Sequence, residues 1–450
     1  AVIKPIPRGN LEAFCAQGNR YHVNFRGAHK GAAVDEIRLI ECIQSAVDPY
    51  ENYDEYISLA RLPELRFVVS NTTEAGIEFD PSCRLADMPP TSFPGKLAQF
   101  LYRRYLLFEG DPSNGLVMLP VELIDENGKK LRECVLKYAE AWRLEENFIN
   151  WIDEACVFCR TLVDRIVTGY PNDGDKIQSR LPWNDKLLDV AEPFGLWVIE
   201  GGGKIAGELP IGGAGVEVIF TDDLRPYRER KVRVLNGAHT AVVLAGFLCG
   251  KGTVGEIMAD HALKNYLERA VSDEILPFIK IPEAEGETQS KELAAAYADS
   301  VYERFENPFV RHECLSIALN SVSKWKARIL PSLRDFYEAR GRLPKRLVFS
   351  LSALLAFYKP VEFKDGTYLG IRSGEPYQIK DVPEALEFFY ARADRNALAP
   401  FVEAALARTD FWGEDLTKYT GLAESITNYL SDIETLGMRG AIIRLNGGSS

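Results

Sequence analysis

Three residues in one short stretch could together move a proton: Lys231, Asn236 and His239, within Lys231-Val-Arg-Val-Leu-Asn-Gly-Ala-His239. A lysine can give or take a proton, an amide can hydrogen-bond a developing oxyanion, and an imidazole can orient a hydroxyl or carbonyl. In an α-helix turning about 100° per residue, Asn236 lies roughly 140° and His239 roughly 80° from Lys231, so all three can face one pocket. Gly237 in mid-helix costs about 1 kcal/mol relative to alanine, which suits a position where something must approach the backbone closely. The same spacing also suits a solvated lysine, a polar asparagine and a hydrogen-bonded core histidine. Periodicity alone leaves both readings open.

A second polar set follows in Asn307, Arg311, His312, Asn320, Ser323, Lys324, Lys326 and Arg328. Lys324 and Arg328 are four apart and share one helix face. They read either as a solvated basic face or as a focused cluster for an anion such as a carboxylate. Other features promise less. The run Glu200-Gly-Gly-Gly203, with Gly207, Gly212, Gly213 and Gly215 behind it, lacks the long helix that a dinucleotide loop needs, and a turn between two strands is expected. Cys156-Val-Phe-Cys159 has half of a zinc spacing but no second pair, so a packed helix with two buried thiols is expected, and no metal site. His22, His29 and His261 stand alone.

The elements that must position these residues fall into two halves. Leu65 to Ser70 and Gly115 to Glu122 read as buried strands, each followed by a helix, Pro94 to Phe108 and Asn127 to Trp142. Phe194 to Ile199 and Gly215 to Phe220 close this half as further strands. Such alternation implies a parallel sheet covered by helices, with ligands beyond the carboxyl ends of its strands. From Arg228 the pattern turns mostly helical, around 231–270, 288–305, 311–340 and 345–358, and a boundary near 223 divides residues 1–222 from 223–450.

Composition narrows the class. The 450 residues carry a net charge of −12, which disfavours nucleic acid as the main partner. No apolar run approaches the roughly 20 residues that would span a membrane. The opening Ala-Val-Ile-Lys-Pro-Ile reads as a strand rather than a leader, and eight scattered cysteines suit a reducing cytoplasm.

With these residues in place, the chain resembles the long-chain mannitol dehydrogenase family. The signature around Lys231, Asn236 and His239 is supported by Ser70-Asn-Thr-Thr-Glu-Ala-Gly76, Leu162-Val-Asp-Arg-Ile-Val167, Arg304-Phe-Glu-Asn-Pro308, Lys324 and Ile329-Leu-Pro331, in family order over nearly the whole chain. The longer wording of these blocks is similar to the family's uronate-reducing branch more than to its polyol enzymes. The resemblance implies a Rossmann-type α/β N-terminal domain, a mostly α-helical C-terminal domain and a site in the cleft between them. It further implies NAD(H), no metal, and interconversion of D-tagaturonate and D-altronate in hexuronate breakdown. Lys231 would be the general acid and base, its pKa lowered by burial or a nearby positive charge from the ordinary value near about 10.4. Asn236 would steady the oxyanion, His239 would orient the reacting group, and Lys324 with Arg328 would bind substrate. Asn71, Thr72, Thr73, Glu74 and Asn127 are the expected cofactor contacts.

Three departures from the family pattern stand out. The glycine-rich loop on the family's first strand is not found, so the chain is expected to start at the second strand, without the first βα unit. Ser316 stands where the family has an arginine, and Arg160 where a short polar residue is expected, which could supply charge for a uronate carboxylate. A fructuronate- or polyol-directed enzyme, or a sugar-acid binding protein without catalysis, remain alternatives. NAD against NADP and the oligomeric state stay open.

Overall fold

A computed structural model describes residues 1–8, 11–29, 31–73, 75–212, 215–281, 287–309, 311–359, 362–392 and 398–447. The chain divides into two compact units, residues 1–224 and 225–450.

In the N-terminal unit the strand Val117–Pro120 is buried throughout and pairs in parallel with Phe67–Ser70 on one side and Val157–Phe158 on the other. A strand buried on both faces needs a continuous apolar run, and Val-Met-Leu-Pro supplies it. The helices Phe93–Leu107 and Asn127–Ala141 bury Leu97, Leu101, Leu131, Val135 and Tyr138 in one cluster with Met118 of that strand. Arg104, fully buried, donates to the carbonyls of Ala60, Leu62, Pro63, Leu65 and Asn114, and so ties down the loop that feeds the first of these strands.

A second sheet has Leu196–Glu200 at its centre, parallel to Glu217–Thr221 and antiparallel to Thr161–Asp164. Its two parallel strands are joined through a helix, Gly202–Glu208, so the glycine-rich run is a short strand–helix–strand crossover and not the simple turn expected. Parallel strands cannot be joined by a tight turn, and this one helix closes the crossover. Cys156 and Cys159 flank the strand Val157–Phe158 rather than sit on a helix; both thiols are buried as expected, and burial pushes each to about 11. A further four-stranded sheet, built on the hairpin Tyr21–His29 and Ala32–Ile40, was not anticipated.

The C-terminal unit is mostly helical. Gly237–Leu248 is apolar on nearly every side and shares one core with Lys345–Phe357 and Leu422–Leu445, through Val242, Leu244, Phe247, Leu351, Leu354 and Ile426. The expected helical stretch 231–270 is broken by the left-handed Gly250 into separate helices. A three-stranded antiparallel meander, Glu362–Lys364, Thr367–Arg372 and Glu375–Ile379, is an addition to the expected pattern. Among the described residues no helix is long and apolar enough to cross a membrane.

Candidate active site

The stretch holding Lys231 and Asn236 is not an α-helix. Lys231–Asn236 forms a single π-helical turn that passes directly into the α-helix Gly237–Leu248. A π-turn closes its hydrogen bonds five residues apart instead of four. Lys231 and Asn236, five apart, therefore lie on a closer bearing than the about 140° that an α-helix would leave between them. Lys231 is 9% exposed. Arg233 is held by Glu229 at 2.6 Å, Asp335 at 2.7 Å and the Ser332 hydroxyl at 2.9 Å.

His239 follows one turn later. Its ring stacks on Phe305, with centroids 4.1 Å apart and planes 17° from parallel, and meets the edge of His312 at 5.5 Å. Its Nε2 is buried without a hydrogen-bond partner among the described residues. A buried ring nitrogen left this way is costly unless a ligand answers it. Burial holds His239 well below the usual histidine range, and the charges of His312, Arg328, Arg304 and Lys324 push in the same direction. His312 is lowered to about 4, first by burial and then by Arg304. Both imidazoles are consequently neutral in a positive setting.

Two cations on the facing helix Ser321–Arg328 are anchored. Lys324 Nζ donates to the Ile317 carbonyl at 2.9 Å, and Arg328 Nη1 donates to the Thr240 hydroxyl at 3.3 Å. Gly237 packs against this helix, yet an added methyl group would sit 3.4 Å from the Arg328 carbonyl, an ordinary contact. The packing of the described protein groups therefore does not by itself require glycine at 237.

The candidates in the N-terminal unit cluster around Glu122. Its carboxylate accepts from the Ser70 hydroxyl at 3.0 Å, the Thr72 amide at 3.0 Å and the Thr72 hydroxyl at 2.8 Å. This fixes the loop beyond Phe67–Ser70 with Asn71 and Thr73 exposed, at the carboxyl end of a parallel strand where such sheets take nucleotides. Asn127 is buried; its amide donates to the carbonyls of Pro120, Glu122 and Thr161, and its oxygen accepts from the Gly128 and Thr161 amides. It holds strand ends together and has no group left over. Gly128 beside it is required, because a methyl there would fall 2.3 Å from the Cys159 carbonyl oxygen. Arg160 is gripped by Glu200 and by Glu126, the latter at 2.9 Å, so its charge is already balanced. Glu74 lies outside the described residues.

The sequence reading missed Phe305 and Thr240 as parts of the site and did not link His312 to His239. Only Arg304-Phe-Glu-Asn-Pro308, which the family pattern singled out, hinted at the first. Among the described residues no group of three or more His, Cys, Asp or Glu could hold a metal ion.

Comparison with known proteins defines the class. Residues 12–213 match the mannitol dehydrogenase Rossmann domain and residues 223–434 the mannitol dehydrogenase C-terminal domain. The chain belongs to the mannitol dehydrogenase family. Among its relatives are altronate oxidoreductases of Escherichia coli and Shigella flexneri, each 42% identical over 98% of this chain and 89% of theirs. The altronate oxidoreductase of Yersinia enterocolitica is 41% identical with the same coverage. The fold, an α/β Rossmann unit plus a helical unit, is shared with two solved structures. One is a substrate-free D-sorbitol dehydrogenase, with TM-score 0.77 and 21% identity over 96% of this chain and 85% of that one. The other is the Pseudomonas fluorescens mannitol 2-dehydrogenase in ternary complex with NAD and D-mannitol, with TM-score 0.70 and 21% identity over 96% and 84%.

Proposed function

We propose that this protein is an NAD(H)-dependent oxidoreductase that interconverts D-tagaturonate and D-altronate, a step in the breakdown of hexuronates. One observation carries the reading: the partnerless Nε2 of a neutral His239, ringed by the charges of Arg304, Lys324 and Arg328, in a chain whose net charge is −12. A neutral sugar alcohol needs no such concentration of cations, whereas a sugar acid does. The similarity to altronate oxidoreductases points the same way.

The loop Asn71-Thr72-Thr73 would hold NAD(H), with Asn127 securing the strand ends behind it. When bound, NADH supplies the hydride that reduces the ketone. Lys231 then gives its proton to the oxygen that gains charge, and takes one back in the oxidative direction. Asn236, brought toward the bearing of Lys231 by the π-turn, donates a hydrogen bond to that same oxygen, an effect worth about 100-fold or more in rate for one well-placed donor. His239 orients the reacting group through Nε2. Arg328 and Lys324 meet the carboxylate.

The decisive test is a panel of D-tagaturonate, D-fructuronate and D-fructose with NADH, following nicotinamide absorbance. Tagaturonate should be reduced with the highest kcat/KM. Rapid turnover of the uncharged ketose with tagaturonate inert would overturn the reading.

A further inference from the structure

We propose that the chain forms a twofold dimer by edge-to-edge pairing of the strand Ala32–Ile40, in a register set by Glu36 facing Arg38 of the second copy. This strand is the outermost of the four-stranded sheet in the N-terminal unit and pairs on one side only, with Tyr21–His29. The amide of His22 donates to the Asp185 carboxylate at 2.6 Å. Asp185 leads into the strand Asp189–Ala191, which flanks Tyr21–His29 on the side away from Ala32–Ile40. Main-chain groups alternate in direction along a strand, so the odd-numbered residues of Tyr21–His29 are those that bond Ala32–Ile40. In the observed register Val23 faces Arg38 and Phe25 faces Glu36, which turns the even-numbered residues of Ala32–Ile40 inward. Ala33, Asp35, Ile37 and Leu39 therefore present their amides and carbonyls at the open edge.

Such an edge is a ready template for another strand, and neither a proline nor a register shift interrupts it. A second copy is the partner that its side chains fit. A twofold axis normal to the sheet sets two copies of one strand antiparallel, with residues facing each other about a central one. Centred on Glu36 or on Arg38, the axis would set like charges against each other. Centred on Ile37, it sets Glu36 opposite Arg38 and Val34 opposite Ile40, each on both sides of the axis. These are the positions without main-chain bonds, where facing side chains come closest. Ile37 then faces its own copy and Asp35 faces Leu39, and their outward amides and carbonyls exchange both bonds. Glu36 and Arg38 already pair along one strand at 2.7 Å with 51% of each side chain exposed, and both gain a second partner across the axis. The pairing uses up this edge in both copies, so it closes at two.

Sedimentation velocity over a series of micromolar concentrations reads the mass directly, and the wild type should rise from one chain to two. Glu36→Arg and Arg38→Glu each set like charges across the axis, and each should raise the dissociation constant by about tenfold or more. The double variant Glu36→Arg/Arg38→Glu restores both facing pairs and should restore the dimer. Hydrogen exchange on the wild type tests the same register without a substitution: the amides of Ala33, Asp35, Ile37 and Leu39 should slow as the dimer forms. A wild type that stays monomeric, or grows beyond two chains, would overturn the proposal. So would a dimer indifferent to both single reversals, a folded double variant that stays monomeric, or exchange at those amides that does not change with concentration.

Discussion

Acid should weaken this fold through His312. Its folded-state value is about 4 against an ordinary 6.5, and each pKa unit corresponds to about 1.36 kcal/mol. Because the folded value lies below the unfolded one, the unfolded chain takes up the proton first as the pH drops. The neutral ring's contribution, up to about 3 kcal/mol, is complete above about pH 6.5 and fades as the pH falls toward about 4. Between about pH 7.5 and pH 5 roughly 2 kcal/mol should be lost, and His239, lowered for the same reason, adds to it. Urea unfolding of the wild type and of His312→Gln at several pH values isolates the effect. The stability difference between them should shrink by about 2 kcal/mol across that interval. Carbon-labelled histidine spectra provide an independent check, since His312 should show no titration above about pH 5.5. A midpoint near 6.5 for His312, or a stability gap that does not vary with pH, would refute the reasoning.

Four further outcomes are expected. Lys231→Met should lower kcat by a factor of about 100 or more with little change in NADH affinity, measured by turnover and by nicotinamide fluorescence titration. Arg160→Gln should leave KM for tagaturonate within about twofold, because Glu126 and Glu200 already neutralise that charge; a tenfold rise would show that it reaches substrate. Gly237→Ala should fold normally and gain about 0.5–1 kcal/mol, seen as a raised melting temperature, since its φ of −64° is helical and the space is there. Arg104→Met should cost about 2–3 kcal/mol in thermal unfolding, because five carbonyls, those of Ala60 and Asn114 in buried bonds, lose their donor at once.

Much of the fold was legible because its signals are local. Val117–Pro120 is apolar at every position, and Asn127-Gly128 marks the start of a helix that is found there. The meander at 362–379 left readable marks too: Asp365-Gly366 and Ser373-Gly374 are turn dipeptides, and all four residues have positive φ, as tight hairpin turns demand. The hairpin Tyr21–His29 with Ala32–Ile40 was harder, since the second strand is largely exposed and mixes Asp35, Glu36 and Arg38 with apolar residues. Val157–Phe158 shows the limit of a short apolar run, which fits a buried helix as well as a strand.

The site was legible in its residues and not in its geometry. Lys-Val-Arg-Val-Leu-Asn has nothing that distinguishes a π-turn from an α-helix, and tertiary contacts decide between them. Arg233 is pulled toward Glu229, Asp335 and Ser332, while Thr240 draws the Asn236 carbonyl toward its own hydroxyl. The same logic explains why Arg160 and Arg328, equally basic in the sequence, differ in what they can offer an anion. Two carboxylates fill the fork of the first, whereas a neutral hydroxyl holds one edge of the second. A carboxylate arriving at Arg160 must displace one that is already seated there.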